Sequence, residues 1–225
     1  HGAGIVASMD DYERLRPRLY PWPAVDRGQW AAWAEEQRRG DSVLWFSIHG
    51  FFWHPRTLLG IEPHLYAFYD QPELMHRMNA DLAEHSIRII DEICTVCKPD
   101  FMTFAEDLSY NHGPMLSREL FNAFLKPYYQ RVVPRLKENG ILAIVDSDGD
   151  ISVPAAWFQE AGIEGILPLE RQAGVDVGKL RAQYPRLRWG GAYDKMVMNQ
   201  GEAAMRAEFE RLLPTARQGG LLISC

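Results

Sequence analysis

The sequence predicts an α/β fold, a (β/α)8 TIM barrel that here lacks its first two units and its closing helix. Apolar strand-like runs alternate with helical patterns about every 25–30 residues, which is typical of parallel strands joined by right-handed crossovers. Each run ends in ionisable or aromatic residues, and parallel α/β folds carry their chemistry at the carboxyl ends of the strands. Six such runs are present, whereas a closed barrel needs eight.

An open doubly wound sheet is the alternative, since six strands could also form one. Dinucleotide-binding sheets of that kind carry a glycine-rich turn after the first strand. The pair Gly190-Gly191 lacks the third glycine and the helix placement that such a turn needs.

The chain is expected to form one domain, residues 1–225, in which 47% hydrophobic residues supply a sizeable core. A net charge of −6 and no cluster of lysine and arginine argue against a nucleic-acid partner. No apolar run approaches the ~18–20 residues of a membrane helix, and no signal peptide is visible at the start. Because three cysteines fit a reducing compartment better than a disulfide framework, we expect a cytoplasmic protein without a membrane partner.

Residues 1–40 are rich in charge, proline and tryptophan and are predicted to be irregular, with one short helix over 27–39. Residues 41–225 are predicted to hold six strand-helix units. The strands are expected where β-branched and aromatic residues are dense between polar tips, over 42–48, 101–105, 141–145, 165–169, 187–191 and 221–224.

The helices are predicted from apolar residues at helical spacing. A long helix over 72–96 begins with Pro72, in the first turn, where proline is favoured. Ser117 is suited to cap the next helix, which Pro127 and Pro134 are expected to interrupt. The other helices follow the third, fourth and fifth strands, over 153–161, 175–183 and 202–217.

Three carboxylates follow the strand over 141–145, and this is the most informative strand end. Crowded carboxylates repel and raise each other's pKa unless a cation or a hydrogen-bonding ligand lies among them. Asp146 and Asp148 are two residues apart, so in extended geometry they share a side and can converge on one cation or hydroxyl. A turn with a helix cap is the alternative for residues 148–150, and we assign the cap to Asp150 and a function to Asp146.

Other strand ends supply further candidates. Glu106 and Asp107 follow the second strand as candidate catalytic residues, although a plain approach loop with Asp107 capping turns fits equally well. Asp194 beside Lys195 is also consistent with a local ion pair at a helix start. The candidates for substrate binding are Phe51, Phe52, Trp53, His54, Glu170, Tyr193 and Asp194.

A C-x-x-C spacing joins Cys94 and Cys97 at the end of the long predicted helix. Structural zinc needs four ligands, and no second pair accompanies this one. The sequence therefore favours two ordinary thiols.

A combination of motifs resembles the uroporphyrinogen decarboxylase superfamily, whose members carry an acidic strand end, a Gly-Pro-hydrophobic-Ser motif and a helix reading F-x-x-F-x-x-P-Y. Here these are Glu106 with Asp107, residues 113–117 and residues 121–128. Further matches lie at 58–60, 70–73, 167–170, 190–195 and 219–225, so the resemblance covers roughly residues 43–225. It implies a TIM barrel of the uroporphyrinogen decarboxylase type.

The superfamily contains porphyrin decarboxylases and cobamide-dependent methyltransferases. In its methyltransferases a strand end reading His-x-Cys-Gly and a cysteine near the last strand hold a zinc ion that activates a thiol. Asp146 and Asp148 stand at the matching positions here, and Cys225 stands at the last one, as ligand or nucleophile. The resemblance thus implies a divalent metal on Asp146, Asp148 and Cys225, zinc first, although oxygen ligands favour harder ions. It also implies a corrinoid as methyl carrier and a corrinoid protein as partner.

Three interpretations remain open. The leading one is a methyltransferase-like enzyme that moves a methyl group between a corrinoid or a methylated small molecule and an acceptor. The second is a decarboxylase that uses Arg56, Arg171 and Lys195, the available strand-end cations, to hold substrate carboxylates. The third is a truncated, non-catalytic barrel acting in binding or assembly. Because open strand edges invite pairing with another chain, we expect a homo-oligomer.

Overall fold

The computed structural model describes residues 4–224. It contains a six-stranded sheet, in which all neighbouring strands are parallel, and a separate antiparallel hairpin made of the third and fourth strands. The strands are β1 (Trp45–His49), β2 (Phe101–Ala105), β3 (Ser109–Tyr110), β4 (Gly113–Pro114), β5 (Leu142–Asp146), β6 (Gly165–Leu169), β7 (Arg188–Ala192) and β8 (Leu221–Ser224).

The α-helices alternate with these strands from β1 onward. They are α1 (Met9–Leu19), α2 (Arg27–Arg39), α3 (Trp53–Leu59), α4 (Ile61–Asp70), α5 (Pro72–Cys94), α6 (Arg118–Phe124), α7 (Lys126–Glu138), α8 (Pro154–Glu160), α9 (Val177–Gln183) and α10 (Glu202–Ala216). None of them, within residues 4–224, is both long enough and apolar enough to cross a bilayer.

The six strands lie side by side in chain order, β1-β2-β5-β6-β7-β8. A doubly wound sheet would reverse its order at a switch point, and this sheet has no reversal. Sequential parallel winding is the arrangement found in part of a (β/α)8 barrel. Among the described strands, β1 pairs only with β2 and β8 only with β7, so the structure does not show closure.

The N-terminal segment is more regular than predicted. The expected helix is present as α2, but α1 also forms, with the Ser8 hydroxyl accepting a hydrogen bond from Asp11 N at 3.2 Å. Two further helices, α3 and α4, follow β1 where none was predicted. Gly60, whose φ is +86°, separates them, so that residues 53–70 form two helices and not one continuous helix.

Pro134 does not interrupt its helix, contrary to the sequence interpretation. It lies inside α7, which runs from Lys126 to Glu138, while Pro127 is in the first turn. A proline inside a helix loses one backbone hydrogen bond. Tyr129, Val132 and Val133 are buried along the same helix, and this packing offsets the lost bond.

Alternation along the strands separates a helix-facing side from an interior side. Ile48, Phe104 and Val145 are buried, and at Phe104 the helix-facing side packs against Tyr129 of α7. The residue that follows each of these in its strand points to the opposite side of the sheet, because side chains alternate in a strand. The last interior layer joins His49, Ala105, Asp146 and Leu167 by direct register. This layer positions the candidate site.

Candidate active site

Glu106 follows β2 and is completely buried. Its Oε2 accepts hydrogen bonds from Phe52 N at 3.0 Å and Trp53 N at 3.5 Å, at the start of α3. The Tyr129 hydroxyl donates to Oε1 at 2.5 Å. Burial raises the pKa of Glu106 to about 7, against the opposing effect of these three donors. The side chain can therefore gain or lose a proton near neutral pH.

We expect the stability of the protein to fall between about pH 4.5 and pH 7 because of Glu106. The folded state keeps the Glu106 proton over this range while the unfolded state releases it, so ionisation opposes folding as the pH rises. The shift from 4.5 to about 7 corresponds to about 3 kcal/mol. Urea unfolding of Glu106→Gln at pH 5 and pH 7 should show a flatter dependence than the wild type.

The control for this measurement is Glu119→Gln. Backbone and Ser117 hydrogen bonds lower the pKa of the exposed Glu119, so its contribution has the opposite sign and its removal cannot flatten the slope. Equal slopes in the wild type and in Glu106→Gln would show that Glu106 does not titrate in this range.

Asp107, Asp146 and Asp148 form the acidic cluster of the site. Hydrogen bonds tie them together, since Asp107 N donates to Asp146 O at 3.5 Å and Asp148 N donates to Asp107 Oδ1 at 3.1 Å. Burial, with repulsion from Asp107 and Asp148, raises the pKa of Asp146 to about 6. Burial and the charges of Asp107 and Glu170 also raise the pKa of Asp148. The structure thus brings three of the predicted residues together.

Asp107 adopts a backbone conformation that non-glycine residues rarely use. Its φ is +40°, in the left-handed region. The hydrogen bond from Asp148 N and the contact of Arg56 NH1 with Asp107 O at 3.3 Å hold it there. Strained backbone of this kind persists where surrounding contacts determine it, and such residues cluster at functional sites.

Glu170 secures the loop that carries the acidic cluster. Its Oε2 accepts from Gly149 N at 2.8 Å, and its Oε1 lies 3.3 Å from Lys195 Nζ. Lys195 therefore pairs with Glu170, not with Asp194. Asp194 instead accepts from Met196 N at 2.9 Å and so caps the 3₁₀ turn over Lys195–Gln200. Glu170 therefore lies beside the acidic cluster, whereas Asp194 makes a local hydrogen bond that caps a turn.

The aromatic residues after β1 lie mainly in the core. Phe51 and Phe52 are completely buried, and Phe51 packs edge-on against Tyr129 with ring centroids 5.0 Å apart. They pack the interior instead of lining an open wall. Trp53 is partly exposed and stacks under the Arg56 guanidinium at 5.0 Å.

The two other predicted substrate-binding rings are also largely buried. His54 is 7% exposed and contacts the Tyr20 hydroxyl through Nε2 at 3.0 Å. Tyr193 is 6% exposed and packs on Phe209 with ring centroids 4.8 Å apart. These contacts orient both rings, and their roles toward substrate stay predictions.

The predicted metal site is only partly within the described residues. Asp146 and Asp148 supply two oxygen donors, whereas Cys225 lies outside the described residues. In the stretch from residue 4 to residue 224, no group of three or more His, Cys, Asp and Glu side chains is placed to hold a metal ion. Cys94 and Cys97 are unpaired thiols whose pKa values are raised by burial, in keeping with ordinary cysteines.

An apolar cavity of about 300 Å³ opens on the interior side of the sheet and is lined by residues including Phe101, Ile144, Leu167 and Leu222. Phe101 begins β2 and Leu222 is near the start of β8, so the cavity lies toward the amino ends of the strands. Leu167 also belongs to the layer of Asp146, so the cavity reaches the acidic cluster from below at that residue.

Sequence reasoning missed the residues that surround Glu106 in the structure but lie far from it in the chain. Tyr129, 23 residues after Glu106, donates the third hydrogen bond to that carboxyl. Gly50 makes room for it. The local signal available was a glycine that directly follows one strand, when the next strand along the chain ends in acidic residues.

Comparison with solved structures finds a methyltransferase from Methanosarcina mazei with a TM-score of 0.67 and 16% sequence identity. The match covers 100% of this chain and 62% of the solved chain. At this identity the likeness shows a shared fold. The chain spans less than two thirds of the length of that structure. No family model and no curated protein matches the sequence.

Proposed function

We propose that the chain is a methyltransferase-like enzyme that moves a methyl group from a methylated small molecule to an acceptor. The observation that carries the proposal is the acidic cluster, Asp107, Asp146 and Asp148, at the carboxyl edge of a sequentially wound parallel sheet. Likeness in fold to a methyltransferase supports the same class of reaction. Fold alone does not determine chemistry, so the argument depends on the carboxylates.

Methyl transfer between two heteroatoms needs one proton donor and one proton acceptor. The bond from the methyl carbon to the donor heteroatom breaks, and the departing heteroatom takes a proton from Asp146. The acceptor loses its proton to Asp148 and forms the new bond to the methyl carbon. Burial raises the pKa of Asp146 to about 6, which suits it to supply the proton, and the exposed Asp148 is assigned as the acceptor. The products are the protonated donor and the methylated acceptor.

A metal ion and a corrinoid are the groups that the superfamily resemblance implies, and the described residues do not make a complete site for either. The metal donors in this part of the chain are two carboxylates of the predicted three ligands. Of Phe51, Phe52, Trp53 and Tyr193, only Trp53 keeps an exposed face for a planar ring. The proton transfers proposed above are assigned to Asp146 and Asp148, which lie within the described residues.

Decarboxylation is supported less well. A pocket for substrate carboxylates needs cations without partners, but Lys195 pairs with Glu170 at 3.3 Å and Arg171 lies 3.9 Å from Asp176. Arg56 contacts the Asp107 carbonyl and lies next to the acidic cluster. A substrate with several negative charges would be repelled there.

Self-association remains part of the proposal, because β1 and β8 each have a single strand neighbour among the described residues. An unpaired edge presents a row of backbone donors and acceptors to another chain. A non-catalytic assembly role would be favoured by self-association without turnover.

A labelled-methyl assay tests the proposal. The chain is incubated with a panel of ethers, thioethers and methylated amines that carry deuterated methyl groups, together with thiol acceptors, and methylated acceptor is measured by mass spectrometry. Appearance of deuterated acceptor, dependent on the protein, is the expected result. Carbon dioxide release from carboxylated analogues without methyl transfer would overturn the proposal in favour of a decarboxylase.

A further inference from the structure

The apolar cavity on the interior side of the sheet has the size and surface of a small-molecule site. Its volume of about 300 Å³ is at the lower end of the range for such sites, which suits a ligand of one or two rings. Phe101, Leu167 and Leu222 are among the apolar residues that line it. Gly190 also lines it and leaves space beside Leu167, since a Cβ at Gly190 would lie 3.0 Å from Leu167 Cβ. A ligand in this cavity would therefore contact mostly carbon.

An aromatic ring held in place bounds part of the cavity. The Phe101 ring stacks on that of Trp45, with 9° between the ring planes and 5.4 Å between the centroids. The two residues are register partners on β1 and β2. Because aromatic rings pack well on one another in offset or edge-to-face arrangements, this surface favours a flat ligand.

Arg188 is the charged residue in this apolar setting. Of the described residues that line the cavity, no other carries a charge. Its side chain starts on the interior side, since a Cβ at Gly165 would lie 3.3 Å from both Arg188 Cβ and Ile144 Cγ1. Within residues 4–224, no group forms a hydrogen bond or an ion pair with its guanidinium.

Arginines on the adjacent helices differ from Arg188 in this respect. Arg181 donates to Gly219 O at 2.8 Å, and Arg211 pairs with Glu208 at 2.6 Å. A guanidinium presents its donors in a planar fork, which a carboxylate can accept with both oxygens. An unpaired guanidinium beside an apolar cavity is therefore complementary to a ligand with an apolar body and one carboxylate.

The same cavity extends to the acidic cluster. Ile144 lines it and lies two residues before Asp146 on the same side of β5, and Leu167 is the register partner of Asp146. Arg188 is the register partner of Gly165, which pairs with Ile144. Two strand spacings and one interior layer thus separate the backbones of Arg188 and Asp146, together about 12 Å. A ligand of one or two rings can fill the space between the two side chains.

We propose that this cavity binds the apolar body of the methyl donor, and that the donor is a flat ring compound whose single carboxylate pairs with Arg188. The inference rests on the proposed function and names its substrate class. With the carboxylate at Arg188, the methylated end of the donor lies toward Asp146. A second carboxylate at that end would be repelled by the acidic cluster, so one negative charge fits the site and several do not.

Calorimetric titration of the full chain with naphthalene-2-carboxylate tests the site without any turnover. Naphthalene-2-carboxamide has the same apolar body and no charge. We expect one site per chain, with the carboxylate bound about 10- to 100-fold more tightly than the amide, because hydrogen bonds between charged groups are the stronger ones. In Arg188→Gln the affinity for the carboxylate should fall to that for the amide.

Arg186→Gln is the matched control. Arg186 is exposed, precedes Arg188 by two residues and is not among the residues that line the cavity, so both affinities should stay as they are. Gly190→Ala, a second variant, adds a methyl group against Leu167 and should weaken binding of the carboxylate and the amide alike. Equal affinities of the wild type for both probes, or a carboxylate affinity that Arg188→Gln leaves unchanged, would overturn the inference.

A second copy of the chain is the other occupant that this open side of the sheet could accept, because β1 and β8 each have a single strand neighbour among the described residues. Titrations at low and at high protein concentration separate the two occupants. A small-molecule site gives the same affinity at both concentrations. An affinity that falls as the protein concentration rises would show that self-association covers the cavity, and it would overturn the assignment.

The labelled-methyl assay separates this inference from the proposed function. Naphthyl methyl ethers with and without a carboxylate are compared as donors. We expect the carboxylated ether to have the lower KM, and the ratio of the two KM values to approach one in Arg188→Gln. Methyl transfer with equal KM values in the wild type would overturn the inference and leave the proposed function standing. Carboxylate-selective binding without transfer to any acceptor would overturn the proposed function and the donor role with it, whereas the binding site would stand.

Discussion

Replacing Gly50 with alanine is expected to destabilise the protein by about 3–5 kcal/mol. A Cβ at Gly50 would lie 1.6 Å from Glu106 Oε2 and 2.9 Å from Ala105 O. The neighbourhood has little freedom to move, since Gly50 N donates to Ala105 O at 2.6 Å and Glu106 is completely buried. The carboxylate must leave its backbone donors, and both overpacking and lost charged hydrogen bonds follow. Urea unfolding measures the difference.

Two comparisons locate the cause of this loss. Gly28→Ala, on the exposed side of α2, meets only Asp26 Oδ1 at 3.4 Å and should stabilise by about 0.5–1 kcal/mol through helix propensity. In a Glu106→Ala background the Gly50→Ala cost should shrink, because the clashing oxygen is gone. An equal cost in both backgrounds would show that the clash with Glu106 is not responsible.

Asp146→Asn is expected to lower kcat for methyl transfer about 10²–10⁴-fold, with a smaller change in KM. Asparagine keeps the shape of the side chain and cannot supply the proton that the leaving group needs. The wild-type rate should also fall as the pH rises through about 6, where Asp146 loses its proton, and this limb should vanish in the variant. The labelled-methyl assay over a pH series measures both.

Asp150→Asn is the matched control for that substitution. Asp150 Oδ1 accepts from Ser152 N at 2.9 Å, and asparagine provides the same acceptor at a turn. Its kcat should stay close to that of the wild type. Full activity in Asp146→Asn, or an unchanged pH limb, would contradict the role of Asp146 as the proton donor.

The strands were predictable because each is bounded by local signals. The expected runs 101–105, 165–169 and 221–224 coincide with β2, β6 and β8, and the other three differ by a few residues at their ends. Helix α1 was missed because Tyr12 is its one buried residue, so the sequence shows no apolar stripe there. Its regularity depends on the Ser8 cap and on burial against α5 through Asp81.

The acidic cluster was predictable in part. Asp146 and Asp148 are two residues apart after a strand, and parallel strands in neighbouring positions bring Asp107 to the same edge. The burial of Phe51 and Phe52 was not predictable, because aromatic residues after a strand look alike whether they line a pocket or fill the core. Which of these applies depends on α7, whose Tyr129 occupies the space beside Phe51.

By itself, the sequence determined the order of the six parallel strands and the concentration of carboxylates at one edge, since these depend on residues that are close in the chain. Only the tertiary structure decided which of those groups stay protonated and what holds them. Glu106 is buried against Tyr129 and Gly50, and the Tyr20 hydroxyl contacts His54 Nε2, although these residues come from distant segments. Burial and hydrogen-bond partners set proton affinity, and both are properties of packing that no local pattern encodes.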